Sequence, residues 1–160
     1  MQTRVFCLHL STHITAMFSL RTMTIDDYDA VMTLMQQTPG ISLRDADSRE
    51  NIARYLQRNP GHSFVALSGG DIVGCLMSGH DGRRGYLQHL LVHPEHRRLG
   101  IANALVERCL ATLQAIGIHK SHIDVLKGNE DGAAYWRRQG WQLRTDIERY
   151  SFITSDNKNI

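Results

Sequence analysis

A short polar segment in the second half of the chain, residues 93–102, has the residue types that bind a diphosphate. It reads His-Pro-Glu-His-Arg-Arg-Leu-Gly-Ile-Ala and lies between a strand-like run and a long helical pattern. The first turn of a helix leaves backbone N–H groups without acceptors, and the helix dipole adds positive partial charge there. Gly100 lets the backbone approach a ligand, and Ala102 keeps the first turn narrow. Because Arg97 and Arg98 add positive charge, the segment predicts an anion site suited to a diphosphate.

Two residues on neighbouring strand-like runs are candidates for acid–base chemistry. Asp124 lies in the run 118–126, and a carboxylate takes up a proton near neutral pH only where burial or a like charge favours its protonated form. The alternative to a general base is that Asp124 is a solvated or salt-bridged strand residue. His89 has a side chain that titrates near neutrality. The favoured interpretation is nevertheless that His89 is a packed, hydrogen-bonded residue. His93 and His96 have no third ligand nearby, so the sequence predicts no metal site.

Hydrophobic periodicity and turn signals predict the elements that position these residues. The first half predicts a strand, two helices and three short strands joined by tight turns, which implies an antiparallel meander. The second helix is predicted to begin at a capping box that starts at Asp47. The full order, β-α-α-β-β-β-α-β-α-β-β, predicts an α/β fold with one mixed sheet of about seven strands and helices on both faces. The predicted strands cover residues 18–23, 62–67, 72–78, 86–92 and 118–126, with two more in 141–153, and the helices begin near residues 24, 47, 101 and 132.

Two motifs in the second half resemble those of one enzyme family. Arg97-x-x-Gly100-x-Ala102 matches the Arg/Gln-x-x-Gly-x-Gly/Ala motif of the GCN5-related N-acetyltransferases, the GNAT family. Residues 129–141, Asn-Glu-Asp-Gly-Ala-Ala-Tyr-Trp-Arg-Arg-Gln-Gly-Trp, resemble the second signature of the family, an asparagine followed by a helix and a Gly-aromatic pair. Both motifs fall on the predicted elements in the family's order, and the resemblance covers residues 18–153. It implies the acyl-CoA N-acyltransferase fold.

The resemblance implies an N-acetyltransferase that uses acetyl-CoA as its co-substrate and no metal. A primary amine, on a small molecule or at a peptide or protein N-terminus, would attack the thioester directly. The strand before the diphosphate segment would pair with the pantetheine arm, the segment would hold the pyrophosphate, and Asn129 would bind pantetheine or the end of CoA. The implied catalytic candidates are Asp124 and Tyr135. The implied cofactor-binding residues are Leu90, Leu91, Val92, Arg97, Arg98, Leu99, Gly100, Ile101, Ala102, Asn129 and Trp136.

The chain departs from the family's pattern at the residue that protonates the leaving thiolate. Family members that use a tyrosine carry it seven residues after the asparagine, where this chain has Trp136, and the tyrosine here is Tyr135. One helical residue turns a side chain by about 100°, and an indole N–H donates a hydrogen bond without acting as an acid. Either the thiolate leaves without that acid, which we favour, or Tyr135 reaches the site through an altered register. The substitution also favours an alternative function, a catalytically weak or inactive module that binds CoA as a sensory or structural ligand.

Composition and charge argue against several other classes of protein. The 160 residues are about one domain, and a net charge of +2 gives no basis for nucleic acid or an acidic membrane as a partner. No run approaches the roughly 20 apolar residues of a membrane span. Three cysteines at spacings that fit no metal site predict buried thiols in a reducing compartment, hence the cytoplasm.

The signals along the chain also predict its boundaries. The GNAT-like domain is expected to span residues 17–154, because strand and capping signals begin only at Phe18. Residues 1–16 are expected to be an extension, and the break of their short apolar piece by His9 argues against a secretion signal. Residues 155–160 are expected to be a frayed tail. The resemblance implies that the acceptor is selected by residues 37–47, between the first two predicted helices, and by the last two predicted strands. The sequence leaves the amine acceptor itself unidentified and leaves monomer and homodimer open.

Overall fold

The computed structural model of this chain describes residues 17–39 and 41–160, with a mixed sheet of five strands at its centre. The predicted extension, residues 1–16, and Cys7 within it lie outside the described residues. Neighbouring strands are antiparallel from the first to the fourth, and the fifth runs parallel to the fourth. The strands, which lie in the sheet in chain order, are β1 (Ser19–Thr22), β2 (Phe64–Ser68), β3 (Asp71–His80), β4 (Gly85–Val92) and β5 (Ser121–Ile123).

Three α-helices connect these strands and a fourth follows the last strand; short 3-10 helices precede the first three. The Ser48 side chain accepts a hydrogen bond from the amide of Asn51 and caps the second helix. The predicted capping box is therefore displaced by one residue, and Asp47 ends the preceding 3-10 helix instead. The helices are α1 (Tyr28–Gln36), α2 (Arg49–Arg58), α3 (Ile101–Ala115) and α4 (Glu130–Arg138), and the 3-10 helices are Ile25–Asp27, Asp45–Asp47 and Pro94–His96.

The sheet separates two apolar layers, so the predicted helices on both faces of a mixed sheet are confirmed. Successive side chains of a strand point to opposite faces. Phe64 of β2 packs in the layer formed with α3, whereas the next residue, Val65, packs with α1. Leu105 and Leu113 are fully buried on the α3 side, and Met35 is fully buried on the α1 side. The site described below lies at the edge of this doubly covered sheet.

The sheet has fewer strands than predicted, because the described residues 141–153 form none. Their alternation of apolar and polar side chains favours extended backbone, but a strand needs a hydrogen-bonded partner strand. The segment instead forms side-chain ion pairs, between Arg144 and Asp146 and between Arg149 and Asp124. Its apolar residues are accordingly exposed, and Phe152 retains 91% of its accessible surface. The preceding strand is also shorter than predicted, with three residues in β5.

A bulge in β4 determines where the sheet opens. Cys75 pairs with Leu91 and Met77 pairs with Gln88, so Leu76 of β3 faces two residues of β4. One of the two, His89, has a φ of 56°. A bulge of this kind bends its strand and increases the local twist. Within the described residues β5 pairs only with Gly85–Leu87, before the bulge, and the two strands separate beyond it.

Candidate active site

A cleft of about 1250 Å³ opens where β4 and β5 separate. It is large enough for a ligand with an extended arm, since small-molecule sites usually occupy roughly 300–1,000 Å³. One residue of the predicted set, Leu99, is not part of its wall and has an exposed side chain. The other predicted residues all line it: Leu90, Leu91, Val92, Arg97, Arg98, Gly100, Ile101, Ala102, Asp124, Asn129, Tyr135 and Trp136.

The loop before α3 presents a row of free backbone donors at one end of the cleft. Arg98 and Gly100 have φ values of 61° and 84°, and this left-handed backbone turns consecutive amides toward one side. The first bond of α3 runs from the amide of Ala104 to the carbonyl of Gly100, at 3.0 Å. Within the described part of the chain, the amides of residues 98–103 have no acceptor. These donors at the start of a long helix fit a pyrophosphate.

The space above this loop is open, and one arginine is fixed beside it. A Cβ atom added to Gly100 would meet no atom within 4 Å. A ligand can therefore approach the backbone there without displacing a side chain. The Nε atom of Arg97 donates to the Val92 carbonyl at 3.3 Å, which holds its guanidinium at the end of β4. The charge of Arg97 thus lies between the strand and the donor row.

Asn129 is held at the start of α4 by its own capping bond. Its Oδ1 atom accepts from the amide of Gly132 at 3.0 Å. Gly132 is needed for this arrangement, because a Cβ atom there would lie 2.7 Å from Asn129 Nδ2. Within the described residues Nδ2 has no hydrogen-bond acceptor, so the side chain offers a fixed donor to a ligand in the cleft.

Tyr135 and Trp136 are adjacent in α4 but have different surroundings. The Tyr135 hydroxyl donates to Oδ1 of Asn103, in the first turn of α3, at 2.9 Å. Burial, together with the negative charge of Glu107, raises the pKa of Tyr135. Trp136 is almost fully buried and packs edge-on against Trp141, with ring centroids 4.7 Å apart. The indole thus belongs to the core wall of the cleft, and the phenol is engaged with α3.

Asp124 lies on the β5 side of the cleft in a polar setting. Its side chain is 69% exposed and is paired with the guanidinium of Arg149. Proton uptake near neutral pH requires burial or a neighbouring like charge. Asp124 has neither, because its side chain is exposed and its partner is a cation.

A second acid–base pair reaches the cleft through one of its members, His89, and sequence reasoning missed it as a pair. Nε2 of His89, in the β4 bulge, lies 2.7 Å from Oδ1 of Asp47. The other carboxylate oxygen accepts from the Arg44 amide at 2.9 Å, and the Asp47 carbonyl accepts from the Tyr28 hydroxyl at 2.8 Å. Burial raises the pKa of Asp47, but the hydrogen bonds from His89 and the Arg44 amide outweigh it and leave that pKa lowered.

The sequence contains each member of this pair but no signal that joins them. Asp47 has the pattern of a helix cap, and His89 lies 42 residues later on a strand. The spacing of residues along the chain indicates which of them share a face of one helix or strand. It does not indicate which elements contact each other. The bulge that turns His89 is also invisible in the sequence, because it depends on the register of β4 against β3.

The far end of the cleft is bounded by the segment between α1 and α2. Ile41 and Arg44 line it there. The C-terminal tail contacts the same segment, because Asn159 Nδ2 donates to Asp45 Oδ1 at 2.7 Å. The Asp45 amide in turn donates to the Asn159 carbonyl at 2.9 Å. Residues 155–160, expected to be frayed, thus lie against the segment that was expected to select the acceptor.

The cysteines and histidines of the described residues give no sign of other chemistry at the cleft. Burial raises the pKa of both Cys75 and Cys109 to about 12, so both thiols stay protonated and unreactive at neutral pH. His93 and His96 stack edge to face, with centroids 5.6 Å apart. In residues 17–39 and 41–160, no group of three or more His, Cys, Asp or Glu side chains is placed to hold a metal ion. None of the helices in these residues has the length and apolar character needed to cross a bilayer.

Comparison with known sequences gives a match over most of the chain. The sequence profile of the Acetyltransferase (GNAT) family matches residues 28–141. An acetyltransferase from Pectobacterium atrosepticum is 40% identical over 105 residues, which are 66% of this chain and 74% of that protein. An acetyltransferase from Photorhabdus laumondii is 37% identical over 115 residues, which are 69% of this chain and 77% of that protein.

Comparison with solved structures identifies the same architecture in more distant proteins. PaiA N-acetyltransferase from Thermoplasma acidophilum, in complex with coenzyme A, matches with a TM-score of 0.72 and 16% identity over 81% of this chain and 92% of that chain. The ribosomal-protein-S18-alanine N-acetyltransferase from Escherichia coli matches with a TM-score of 0.66 and 18% identity over 81% and 80% of the two chains. At such identities the likeness shows the fold alone.

Proposed function

The chain belongs to the GNAT family of acetyltransferases, and from that premise we propose that it transfers acetyl from acetyl-CoA directly to a primary amine. The amine would be carried by a small molecule or by a peptide or protein N-terminus. The single observation that carries the proposal is the row of free amides at residues 98–103, which opens onto the cleft between β4 and β5. A pyrophosphate is the ligand group that such a row binds best.

Three parts of the chain would bind the co-substrate. The amides of residues 98–103, with Arg97 beside them, would hold the pyrophosphate. Beyond the bulge, the backbone of residues 90–92 on the open side of β4 would pair with the pantetheine arm as an added strand would. The Nδ2 donor of Asn129 would bind pantetheine from the α4 side. Bound in this way, the co-substrate would have its thioester near the bulge.

The chain would accelerate transfer mainly by holding two substrates and by stabilising negative charge. Holding the amine beside the thioester replaces an encounter in solution with a reaction between fixed groups. Backbone N–H groups at the β4 bulge would donate to the oxygen that becomes negative as the amine attacks. Both thiols of the described residues are buried and protonated, which supports direct transfer over a covalent enzyme intermediate.

Departure of the CoA sulfur would need no acid from the protein. The thiol of CoA resembles that of cysteine, with a pKa of about 8.5, so the thiolate is a far better leaving group than an amine. Trp136 cannot supply a proton. The Tyr135 hydroxyl already donates to Asn103, and burial raises the pKa of Tyr135. We therefore propose that the sulfur leaves as thiolate and takes its proton from water.

Release of CoA thiol in the presence of an amine panel tests the proposal. The full chain is mixed with acetyl-CoA and, one at a time, with polyamines, amino acids and short peptides, and thiol release is followed against an enzyme-free control. The proposal predicts at least one amine that accelerates release and gains an acetyl group by mass. Binding of acetyl-CoA with no acceleration by any amine would instead support the CoA-binding module without transferase activity.

A further inference from the structure

His89 lies on the wall of the cleft where the sheet opens, and Asp47 contacts its imidazole from behind that wall. His89 lines the cleft and its side chain is 22% exposed, while the Asp47 side chain is 10% exposed. The imidazole comes from the β4 bulge, and the carboxylate comes from the 3-10 helix before α2. The pair therefore connects the proposed thioester position with the segment at the acceptor end.

The hydrogen bond between them determines which ring nitrogen is free. An ionised carboxylate only accepts hydrogen bonds, so at Asp47 Oδ1 the Nε2 atom of His89 must be the donor. In the neutral ring the proton then lies on Nε2 and the lone pair lies on Nδ1. Within the described residues Nδ1 has no hydrogen-bond partner. It is not one of the buried side-chain atoms that lack a partner, so it is exposed to solvent. The basic nitrogen is thus accessible from the cleft.

Asp27 and Arg21 form a similar pair elsewhere in the fold, and that pair serves as an example with a structural role only. Asp27 also ends a 3-10 helix, and its Oδ2 atom accepts from the amide three residues before it, at 2.9 Å, as Asp47 does. Its side-chain partner is Arg21, at 2.7 Å from each carboxylate oxygen. The Arg21 hydrogen bonds lower the pKa of Asp27. Neither Arg21 nor Asp27 lines the cleft, and the cation of that pair is permanently charged. His89 does line the cleft, and an imidazole can take up and release a proton.

We propose that His89 is the general base that deprotonates the acceptor amine and that Asp47 is the positioning residue that holds its tautomer. The inference rests on the proposed function. Nδ1 takes one proton from the ammonium group, and the freed nitrogen pair forms the new C–N bond to the acetyl carbonyl. The C–S bond then breaks and its electron pair leaves with the CoA sulfur. The nitrogen of the acceptor amine loses its second proton to water, and water protonates the CoA thiolate. The imidazolium of His89 returns its proton to solvent.

The charges around the imidazole set the direction of its pH response. Asp47 contacts the ring from the 3-10 helix, and Cys75 of β3 contacts the backbone of the same residue, with Sγ 3.6 Å from the His89 carbonyl. Burial raises the pKa of Cys75 to about 12, so it is neutral over the working range. Arg44 lines the same cleft from the loop before α2, and Tyr28 of α1 bonds only to the Asp47 carbonyl. The ionised Asp47 is thus the charge in direct contact with the ring, and it stabilises the imidazolium.

The test compares kcat against pH for four full-length proteins with saturating acetyl-CoA and the panel amine that gives the fastest thiol release. They are the wild type, His89→Asn, Asp47→Asn and the matched control Asp27→Asn. Asparagine is chosen at position 89 because it tolerates a positive φ better than most residues. Thermal melting and acetyl-CoA affinity are measured for each protein. The nitrogen NMR spectrum of the wild-type histidines reports the tautomer directly.

The inference predicts that wild-type kcat falls as the pH is lowered and the base is protonated. His89→Asn lowers kcat about 100-fold or more, within the usual range for general bases, and removes this acidic limb while acetyl-CoA affinity stays within about threefold. Asp47→Asn removes the charge that stabilises the imidazolium, so the limb moves to lower pH. Asp27→Asn leaves the shape of the profile of kcat against pH unchanged.

Two results would overturn the inference while leaving the proposed function intact. One is a folded His89→Asn protein whose kcat and acidic limb match the wild type. The other is a wild-type His89 ring that carries its proton on Nδ1, which is measurable even if the variants do not fold. A wild-type protein that acetylates no amine would overturn the proposed function and the inference together.

Discussion

Tyr135 and Trp136 are neighbours in α4 with different partners. The Trp136 indole fills the core wall of the cleft against Trp141, and the Tyr135 phenol is bound to the first turn of α3 through Asn103. One step along a helix turns the side chain by about 100°, which is enough to give the two rings different partners. The tyrosine is therefore present at the cleft without being free to donate a proton.

This placement predicts a small effect of Tyr135→Phe on turnover. The variant loses one hydrogen bond to Asn103, with a stability cost of about 1 kcal/mol, and keeps the ring. We expect kcat within a few-fold of the wild type, measured by thiol release with the same amine. A loss of 100-fold or more at unchanged acetyl-CoA affinity would show that Tyr135 is the acid and that the thiolate needs one.

The contrast between Asp124 and His89 shows what residue type alone can predict. Both have side-chain types that can exchange protons. Their surroundings differ: Asp124 is exposed and paired with Arg149, and His89 is half-buried and paired with Asp47. Because burial and partners come from tertiary contacts, the residue type could not rank the two.

At the scale of elements, the helices and the antiparallel meander of β2, β3 and β4 follow from local patterns, whereas pairing between strands distant in sequence does not. The periodicity of residues 101–117 and the glycines at its ends predict α3 from neighbours in sequence alone. The segment 141–153 alternates as a strand should, yet it forms none, because a strand depends on a partner distant in sequence. The bulge in β4 is unpredicted for the same reason.

The close approach of β4 and β5 at the base of the cleft depends on Gly85. A Cβ atom there would lie 2.7 Å from Leu113 Cδ1 and would also meet the Ser121 side chain. We expect Gly85→Ala to lower the free energy of unfolding by about 1–3 kcal/mol, the usual cost of overpacking, as measured by denaturant titration.

A paired substitution controls for the cause of that loss. Ser121→Gly removes one of the two contacts, so the double variant Gly85→Ala with Ser121→Gly should recover part of the lost stability. Equal stability of wild type and Gly85→Ala would contradict the close packing described for this end of the sheet.

At the scale of the whole molecule, the sequence predicted which motifs meet but not how the cleft is completed. The diphosphate segment and the Asn129 segment lie far apart in the chain, and both line one cleft as the resemblance implied. The far end of the cleft, with Ile41 and Arg44, comes from a part of the chain that carries neither of the two family motifs. The tail residues that contact Asp45 were likewise outside every motif.

The predicted domain boundary gives a whole-molecule test. The described hydrogen bonds of β1 begin with the pairing of Ser19 and Leu67, inside the predicted domain. A protein that starts at Met17 should therefore melt within a few degrees of the full chain and bind acetyl-CoA equally well. A larger fall in the melting temperature would mean that residues 1–16 stabilise the folded protein.

The central claim is that the amide row before α3 holds acetyl-CoA, and calorimetric titration with acetyl-CoA tests it most directly. Gly100→Glu puts a side chain and a negative charge where the pyrophosphate would bind. Gly117→Glu is its matched control, because Gly117 lies past the other end of α3, has nearly the same φ (83° against 84°), and likewise has no atom within 4 Å of an added Cβ.

Both variants carry the same backbone strain, so a difference between their affinities for acetyl-CoA is attributable to the site before α3. The account predicts that the Kd for acetyl-CoA rises at least about tenfold in Gly100→Glu, a loss of about 1.4 kcal/mol, and stays within about twofold of the wild type in Gly117→Glu. Folded variants with equal affinity would contradict it and place the acetyl-CoA site away from the start of α3.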